Sequence, residues 1–361
     1  MDHALRRARL AERLAALEVD ALVVTRLPNV RYLTGFTGSN GQLIVGRSTS
    51  VFLTDGRYDE QSSHEVGEVE RRIYLDERSG HLARAMADLG ARRVGFEREG
   101  LTYGEWERLG VVALEAELVP TASAVEDLRL VKDAEEIALV ARAQDAADAA
   151  FRDVVLGGGV HEGMTERALA RALELAMLDA GADDTGFDTI VAFGEDAAEP
   201  HHEPAERSLR RGDVLKVDFG ASAGGYHSDM TRTVSLGEPP ERLREIREVV
   251  AAAQRAGIDA VRPGVPLRSV DRAARAVVEE AGLGDRFPHG LGHGVGLEIH
   301  EVPFLRPDSP EGDVLPEGAI VTIEPGVYIP GTGGVRIEDM VEVTSDGGRV
   351  LAASPRELLV L

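Results

Sequence analysis

Leu5, Leu10, Leu14 and Leu17 recur with helical spacing and predict a helix over residues 4–18. The run Ala21 to Thr25 (ALVVT) is a short apolar segment of buried-strand type. GQLIVG and VFLTD, joined by a Gly/Arg/Ser/Thr connection, predict a hairpin. A charged, helix-like stretch follows, then strand-like RRIYL, helix-like HLARAMADLG and strand-like RRVGFE. Strands and helices mixed at this spacing predict an α/β domain ending near residue 125. Beyond it, Asp133 and Glu136 have the spacing of a capping box at the head of a long helix, halted by Gly157, Gly158 and Gly159. Thr165 heads a second helix running through Met177. Helices over 240–256 and 266–281 are separated by Pro263 and Pro266. No short-period repeat or low-complexity linker interrupts the chain.

Three segments break the apolar pattern with chemistry. DVLKVDFGASAGGYHSDMTRTVSL predicts a β-hairpin with Leu215, Val217 and Phe219 on one face and Lys216 and Asp218 on the other. On its return strand Asp229, Thr231 and Thr233 share a face, so two aspartates eleven residues apart are expected to face each other across adjacent strands. Bare, they repel; a bound cation removes the conflict. A pair of solvent-facing aspartates on an edge hairpin is the plainer alternative. FPHGLGHGVGLEIHEVP carries His289, His293 and His300, with four glycines around the middle one. Glycine lets the backbone approach a ligand closely, which suits a metal-binding imidazole as well as a structural turn. Glu324 ends the apolar strand of GAIVTIEPGVYI, and Arg336 and Glu338 share a face of GGVRIEDMVEV. A glutamate interrupting such a strand needs a partner, unless it lies at the surface.

Asp218, Asp229, His293, Glu324 and Glu338 together make four carboxylates and one imidazole. Such an oxygen-rich set suits Mn²⁺ or another hard-to-borderline divalent ion. Five ligands are enough for two metals about 3.5 Å apart, an arrangement that clamps both oxygens of a hydrolytic transition state.

Composition narrows the classes. The chain has 361 residues, with 40 Lys and Arg against 63 Asp and Glu, a net charge of −23. That balance argues against nucleic-acid binding, which needs clustered cations. With no cysteine there are no disulfides, thiolate metal sites or cysteine nucleophile, which fits a cytoplasmic setting. No apolar run approaches the roughly 20 residues of a membrane helix, and the first twenty residues lack a signal-peptide core. The expectation is no nucleic-acid and no membrane partner.

The motifs VDFG, SDMTRT, HGLGHGVGLEIHE, TIEPGVYI and GVRIED, in this order, resemble the pita-bread dinuclear metallopeptidases, in the branch of aminopeptidase P and prolidase. NVRYLTGFTGSNG and LTDGRYDEQ resemble the amino-terminal domain of the same branch, so the likeness covers nearly the whole chain. It implies an α/β (α+β) protein: a creatinase/prolidase-type domain over 1–125 and a methionine aminopeptidase-like catalytic domain over 126–361. It implies two divalent metal ions, Mn²⁺ first and Co²⁺ or Zn²⁺ as alternatives. Asp218 would bind one metal, Asp229 and Glu338 would bridge both, and His293 and Glu324 would complete the ligands of the second metal. A bridging hydroxide would attack the carbonyl before proline while Glu324 handles its proton.

The resemblance also implies roles beside the metals. His201 matches a substrate-side histidine, with His202 the other choice of register. His289 and His300 match histidines that border the proline pocket and hold the scissile carbonyl or its oxyanion. Arg336 matches the arginine beside the bridging glutamate, and Tyr226 is expected to shape the pocket. His3, His64, His81, His161 and His227 read as surface residues. Where prolidases of this branch carry an arginine for the dipeptide's carboxylate, this chain has Phe304, with Arg306 two residues late. That departure leans the reading toward aminopeptidase P-like cleavage of longer proline-containing peptides, with Xaa-Pro dipeptidase as the alternative. A proline-directed carboxypeptidase, a metal-free amidinohydrolase and a non-catalytic binding protein of the same fold are remoter. Members of the family are commonly dimers or higher oligomers, and a homo-oligomer is expected.

Overall fold

The computed structural model describes all 361 residues and divides into two compact units, Met1–Arg129 and Leu130–Leu361. The first is built on six strands: β1 (Ala21–Val24), β2 (Gln42–Gly46), β3 (Ser50–Asp55), β4 (Glu70–Tyr74), β5 (Arg93–Glu97) and β6 (Glu117–Thr121). Their order is β4-β3-β2-β1-β5-β6, with β1, β2 and β3 antiparallel and the outer pairs parallel. Val23, Ile44, Leu53 and Val94 pack there against Leu82 and Met86 of helix Arg78–Asp88.

The opening helix is shorter than its apolar spacing predicts, covering His3–Arg13. Val19 N–H reaches back to the Leu14 carbonyl and Glu18 takes a φ of 55°, turning the chain into β1. Two further helices of this unit lack a strong apolar period. Leu27–Thr34 starts with a proline in its first turn and stops at Gly35, whose φ is 83°. Tyr103–Val112 opens with a capping box between Thr102 and Glu105.

In the second unit, the antiparallel strands Ile190–Phe193, Val214–Phe219 and Met230–Ser235 form a sheet with Val214–Phe219 in the centre. Leu215, Val217 and Phe219 pack with Ala143, Ala147, Leu169 and Leu173 from helices Ala134–Ala150 and Glu166–Asp179. The predicted capping box is present: Asp133 accepts from the Glu136 N–H and Glu136 from the Asp133 N–H. A five-stranded antiparallel sheet carries Gly292–Gly294, Glu301–Leu305, Ile320–Ile323, Asp339–Thr344 and Gly347–Val350. Its Val321, Ile323 and Val341 pack with Ile246, Val250, Val270 and Ala274 of helices Glu241–Ala260 and Leu267–Glu280. Each sheet thus has an apolar face against helices and leaves its other face for polar side chains. No helix is long and apolar enough to cross a membrane.

The predicted hairpin forms with one correction. Thr231, not Asp229, lies opposite Asp218, and Asp229 sits one step beyond the ladder's end. The intervening residues make their own small hairpin, Ala221–Ala223 against Tyr226–His227, turned by Gly224 and Gly225 at φ 58° and 79°. Two successive positive φ values are what a tight type I′ turn demands, and glycine supplies them without strain.

Leu169 is fully buried where helix Glu166–Asp179 meets the three-stranded sheet. Leu169→Ala is expected to destabilise this unit by about 2–5 kcal/mol through lost burial and a residual cavity. The drop in its urea midpoint measures it.

Candidate active site

The polar faces of the second unit line a cavity of about 420 Å³. That lies within the roughly 300–1,000 Å³ typical of small-ligand pockets. Asp218, Asp229, His293, Glu324 and Glu338 all line it, as do His201, His289, His300, Phe304, Arg306 and Arg336. Two residues assigned to the pocket from sequence lie outside the lining. Tyr226 is buried with its hydroxyl donating to Glu136 at 2.8 Å, because its strand faces the long helix. His202 turns away to Glu166 and Glu199, at 2.8 and 2.9 Å, leaving His201 as the histidine at the pocket.

Asp218 projects from the central strand, and Asp229 from the head of its neighbour. His293 sits between glycines for a steric reason. A Cβ at Gly292 would collide with the Thr322 carbonyl, and one at Gly294 with that of Val302. Glu324 follows strand Ile320–Ile323, and its N–H bonds the Leu291 carbonyl at 2.9 Å. Glu338 lies between strand Gly333–Arg336 and strand Asp339–Thr344.

Ligating atoms of Asp229, His293 and Glu338 lie within 4.8 Å of one another. His293 Nδ1 donates to the Gly294 carbonyl at 3.0 Å, which turns Nε2 toward the acids. It lies 3.5 Å from Asp229 Oδ2 and 3.4 Å from Glu324 Oε1. Burial lowers the His293 pKa to about 4, so its imidazole is neutral and has a lone pair for a metal.

The acids crowd one another. Burial pushes the Asp229 carboxyl well up, and Glu338, Asp218 and Glu324 push the same way. Glu338 is raised likewise, by burial first and then by Glu324 and Asp218. Burial takes Glu324 to about 7. Only a cation lets such a set ionise together, and Arg336 supplies part of the charge. It pairs with Asp218 Oδ2 and donates to Thr231 Oγ1 at 2.9 Å and to the Tyr328 hydroxyl at 2.9 Å. Thr231 in turn donates to Glu338 at 2.6 Å. Asp218 Oδ1 remains buried without a hydrogen-bond partner. An orphaned carboxylate oxygen beside three further acids and a neutral imidazole fits divalent cations as the missing partner.

The histidines around this centre differ. His289 donates from Nδ1 to the Gly290 carbonyl at 2.8 Å and meets the Tyr328 hydroxyl with Nε2 at 3.0 Å. Both ring nitrogens are thus engaged within the cavity wall. Burial brings its pKa to about 3. His300 stacks edge-on against His293, with ring centroids 4.3 Å apart, and burial lowers its pKa. Arg306 lies over the Phe304 ring at 4.2 Å, at the pocket edge. Thr231 and Tyr328 stand inside SDMTRT and TIEPGVYI, yet neither motif reveals their roles. Their hydroxyls matter through partners that only the folded chain supplies.

A model described as metallopeptidase family M24 matches residues 138–345, and one described as the creatinase/prolidase N-terminal domain matches residues 6–131. The chain belongs to metallopeptidase family M24. This M24 peptidase is 41% identical to an uncharacterized peptidase from Bacillus subtilis, over 96% of this chain and 97% of that one. An Xaa-Pro dipeptidase from Pyrococcus horikoshii shares 36% identity over 94% and 95%. Among solved structures, an Xaa-Pro dipeptidase from Bacillus anthracis superposes with a TM-score of 0.96 at 38% identity, covering 100% of both chains. An X-Pro aminopeptidase from Thermotoga maritima reaches 0.88 at 33% identity, covering 97% and 99%.

Asp229→Asn or Glu338→Gln is expected to abolish turnover and weaken divalent-metal binding, checked by titrating metal into chelator-treated protein. A second outcome follows from Glu324. Its carboxyl is neutral in the metal-free fold until about pH 7 but ionises near 4.5 when unfolded. Its contribution to stability is therefore lost as pH rises between those values. The metal-free Glu324→Gln variant should gain stability relative to wild type across that window, and added divalent ion should cancel the gain. Thermal melts of both proteins from pH 4.5 to 8 test this.

Proposed function

We propose that this chain is a metal-dependent Xaa-Pro dipeptidase. The observation that carries the reading is Arg306. It occupies the edge of the pocket with its guanidinium braced on Phe304, close enough to the centre to help depress the His293 pKa. A dipeptide ending in proline has its carboxylate one residue from the scissile bond. A guanidinium at the pocket edge suits that anion better than the continuing chain of a longer peptide. The arginine missing at position 304 is thereby replaced from two residues further on, with Phe304 as its support. Similarity to Xaa-Pro dipeptidases from Pyrococcus horikoshii and Bacillus anthracis supports this reading over the aminopeptidase P-like one. The latter keeps support from the Thermotoga maritima X-Pro aminopeptidase.

Asp218, Asp229, His293, Glu324 and Glu338 would hold two divalent ions, with Mn²⁺ favoured by the oxygen-rich set. When bound, these ions supply a nucleophilic water at neutral pH and polarise the peptide carbonyl. The chain's own residues do the rest. Glu324, with Oε1 3.4 Å from His293 Nε2, takes the proton of the attacking water and passes it toward the leaving proline nitrogen. His201 and His300 reach the substrate side of the cavity, where an imidazole N–H donates to the carbonyl oxygen as it gains charge. His289 and Tyr328 close the wall, and Arg306 orients the carboxylate. Arg336 and Thr231 hold Asp218 and Glu338 in place throughout.

With Mn²⁺ present, Ala-Pro is expected to be cleaved efficiently and Ala-Pro-Ala poorly, with chelator abolishing both. Arg306→Ala should raise KM for Ala-Pro by roughly 10- to 100-fold, the scale of a charged hydrogen bond, and barely affect Ala-Pro-amide. Release of alanine from the tripeptide with Ala-Pro untouched would establish the aminopeptidase reading instead.

A further inference from the structure

His201 makes no hydrogen bond through its ring, although it is the histidine of the 193–205 segment that reaches the cavity. Its position is inherited from its backbone, and that backbone is fastened from within. Lys216 is fully buried on the central strand, two residues before Asp218 and on the same face. Its Nζ donates to the carbonyls of Ala197, at 3.3 Å, Glu199, and Pro200, also at 3.3 Å. Arg336 adds a bond to the Pro200 carbonyl at 3.1 Å.

Glu166 ties the segment's two ends. It accepts from the Phe193 N–H at 2.7 Å and the Ala205 N–H at 3.0 Å, and pairs with His202 at 2.8 Å. The middle, immediately before His201, depends on Lys216. A lysine is an expensive residue to bury, and nothing in the apolar core of this sheet calls for one. Burial and Arg336 lower its pKa to about 6; the ammonium offers three N–H donors and the neutral amine two, so either form donates to the segment.

We propose that Lys216 is a positioning residue for catalysis: by holding the Ala197–Pro200 carbonyls it sets where His201 meets the substrate. Without it the buried Ala197 carbonyl and the partly buried Glu199 carbonyl lose this donor, Pro200 keeps only Arg336, and the segment loosens, while the metal-binding acids keep their own supports. The inference rests on the part given to His201 in the proposed reaction, so its test includes a measurement that needs no substrate.

Lys216→Met removes the donors at similar volume. Hydrogen exchange of the peptide spanning 194–206 should then quicken at least about tenfold, with metal affinity unchanged. Turnover of Ala-Pro should fall roughly 10- to 100-fold, the usual scale for a reactive group displaced by an ångström. The Lys216→Met/His201→Ala double variant should be no slower than His201→Ala alone, because the lysine acts through the histidine. Lys216→Gln, which keeps two N–H donors, should recover part of both losses.

Unchanged exchange in Lys216→Met would overturn the anchoring. Loss of metal, or an equal loss of turnover with and without His201, would show that Lys216 acts on the acids instead. Wild-type turnover in His201→Ala would overturn the role given to His201, and quickened exchange would then leave Lys216 as an anchor of the fold alone. If no Xaa-Pro substrate is cleaved, the functional reading falls while exchange still decides the anchoring.

Discussion

Four carboxylates gathered out of water set the terms for the second unit. Left to themselves they repel, and burial adds to the cost of each charge. The fold compensates in two ways. It places the Arg336 guanidinium against Asp218, and it buries Asp218 Oδ1 without a hydrogen-bond partner and sets His293 Nε2 3.5 Å from Asp229, a donor set that suits divalent cations. Holding like charges this close requires stiff support. Every candidate ligand comes from a strand or a strand end, with an apolar face packed on helices behind it.

Much of that support lies one layer back. Arg232, nearly inaccessible, pairs with Asp339 at 2.7 Å and donates to the Glu338 carbonyl. Asp339 also accepts from Gln254 and Arg356, so the strand behind Glu338 is tied to a helix and to the chain's last residues. Two arginines thus bracket Glu338, one reaching its side chain's partner Thr231 and one its backbone. On the substrate side the same logic holds in weaker form. Glu166 and Lys216 fasten the segment that carries His201.

Charge placement also bears on substrate choice. Phe304 lies on the strand Glu301–Leu305 and Arg306 is the first residue past its end, and both line the cavity. Phe304 and Arg306 flank Leu305, which points into the core. The aromatic ring and the guanidinium therefore lie together on the cavity side, and the cation–π contact gives the longer reach of Arg306 a fixed direction.

Local chemistry along the chain suffices for the elements with strong signals: the Asp133 cap, the Thr165 cap, the helices broken by Pro263 and Pro266, and the alternating strand that carries Asp218. It also singles out the candidate ligand set, because carboxylates and a glycine-framed histidine interrupting apolar strands are chemically conspicuous. Which neighbours those residues have is a matter of packing. Period-two alternation gives a face but not a register, so Thr231 rather than Asp229 stands opposite Asp218. Adjacent histidines are indistinguishable along the chain, yet Glu166 captures His202 and leaves His201 for the cavity. Tyr226 lies three residues from Asp229 but faces Glu136, which is 90 residues away in the chain. Hydrogen bonds between distant segments depend on packing geometry, and no local pattern encodes it.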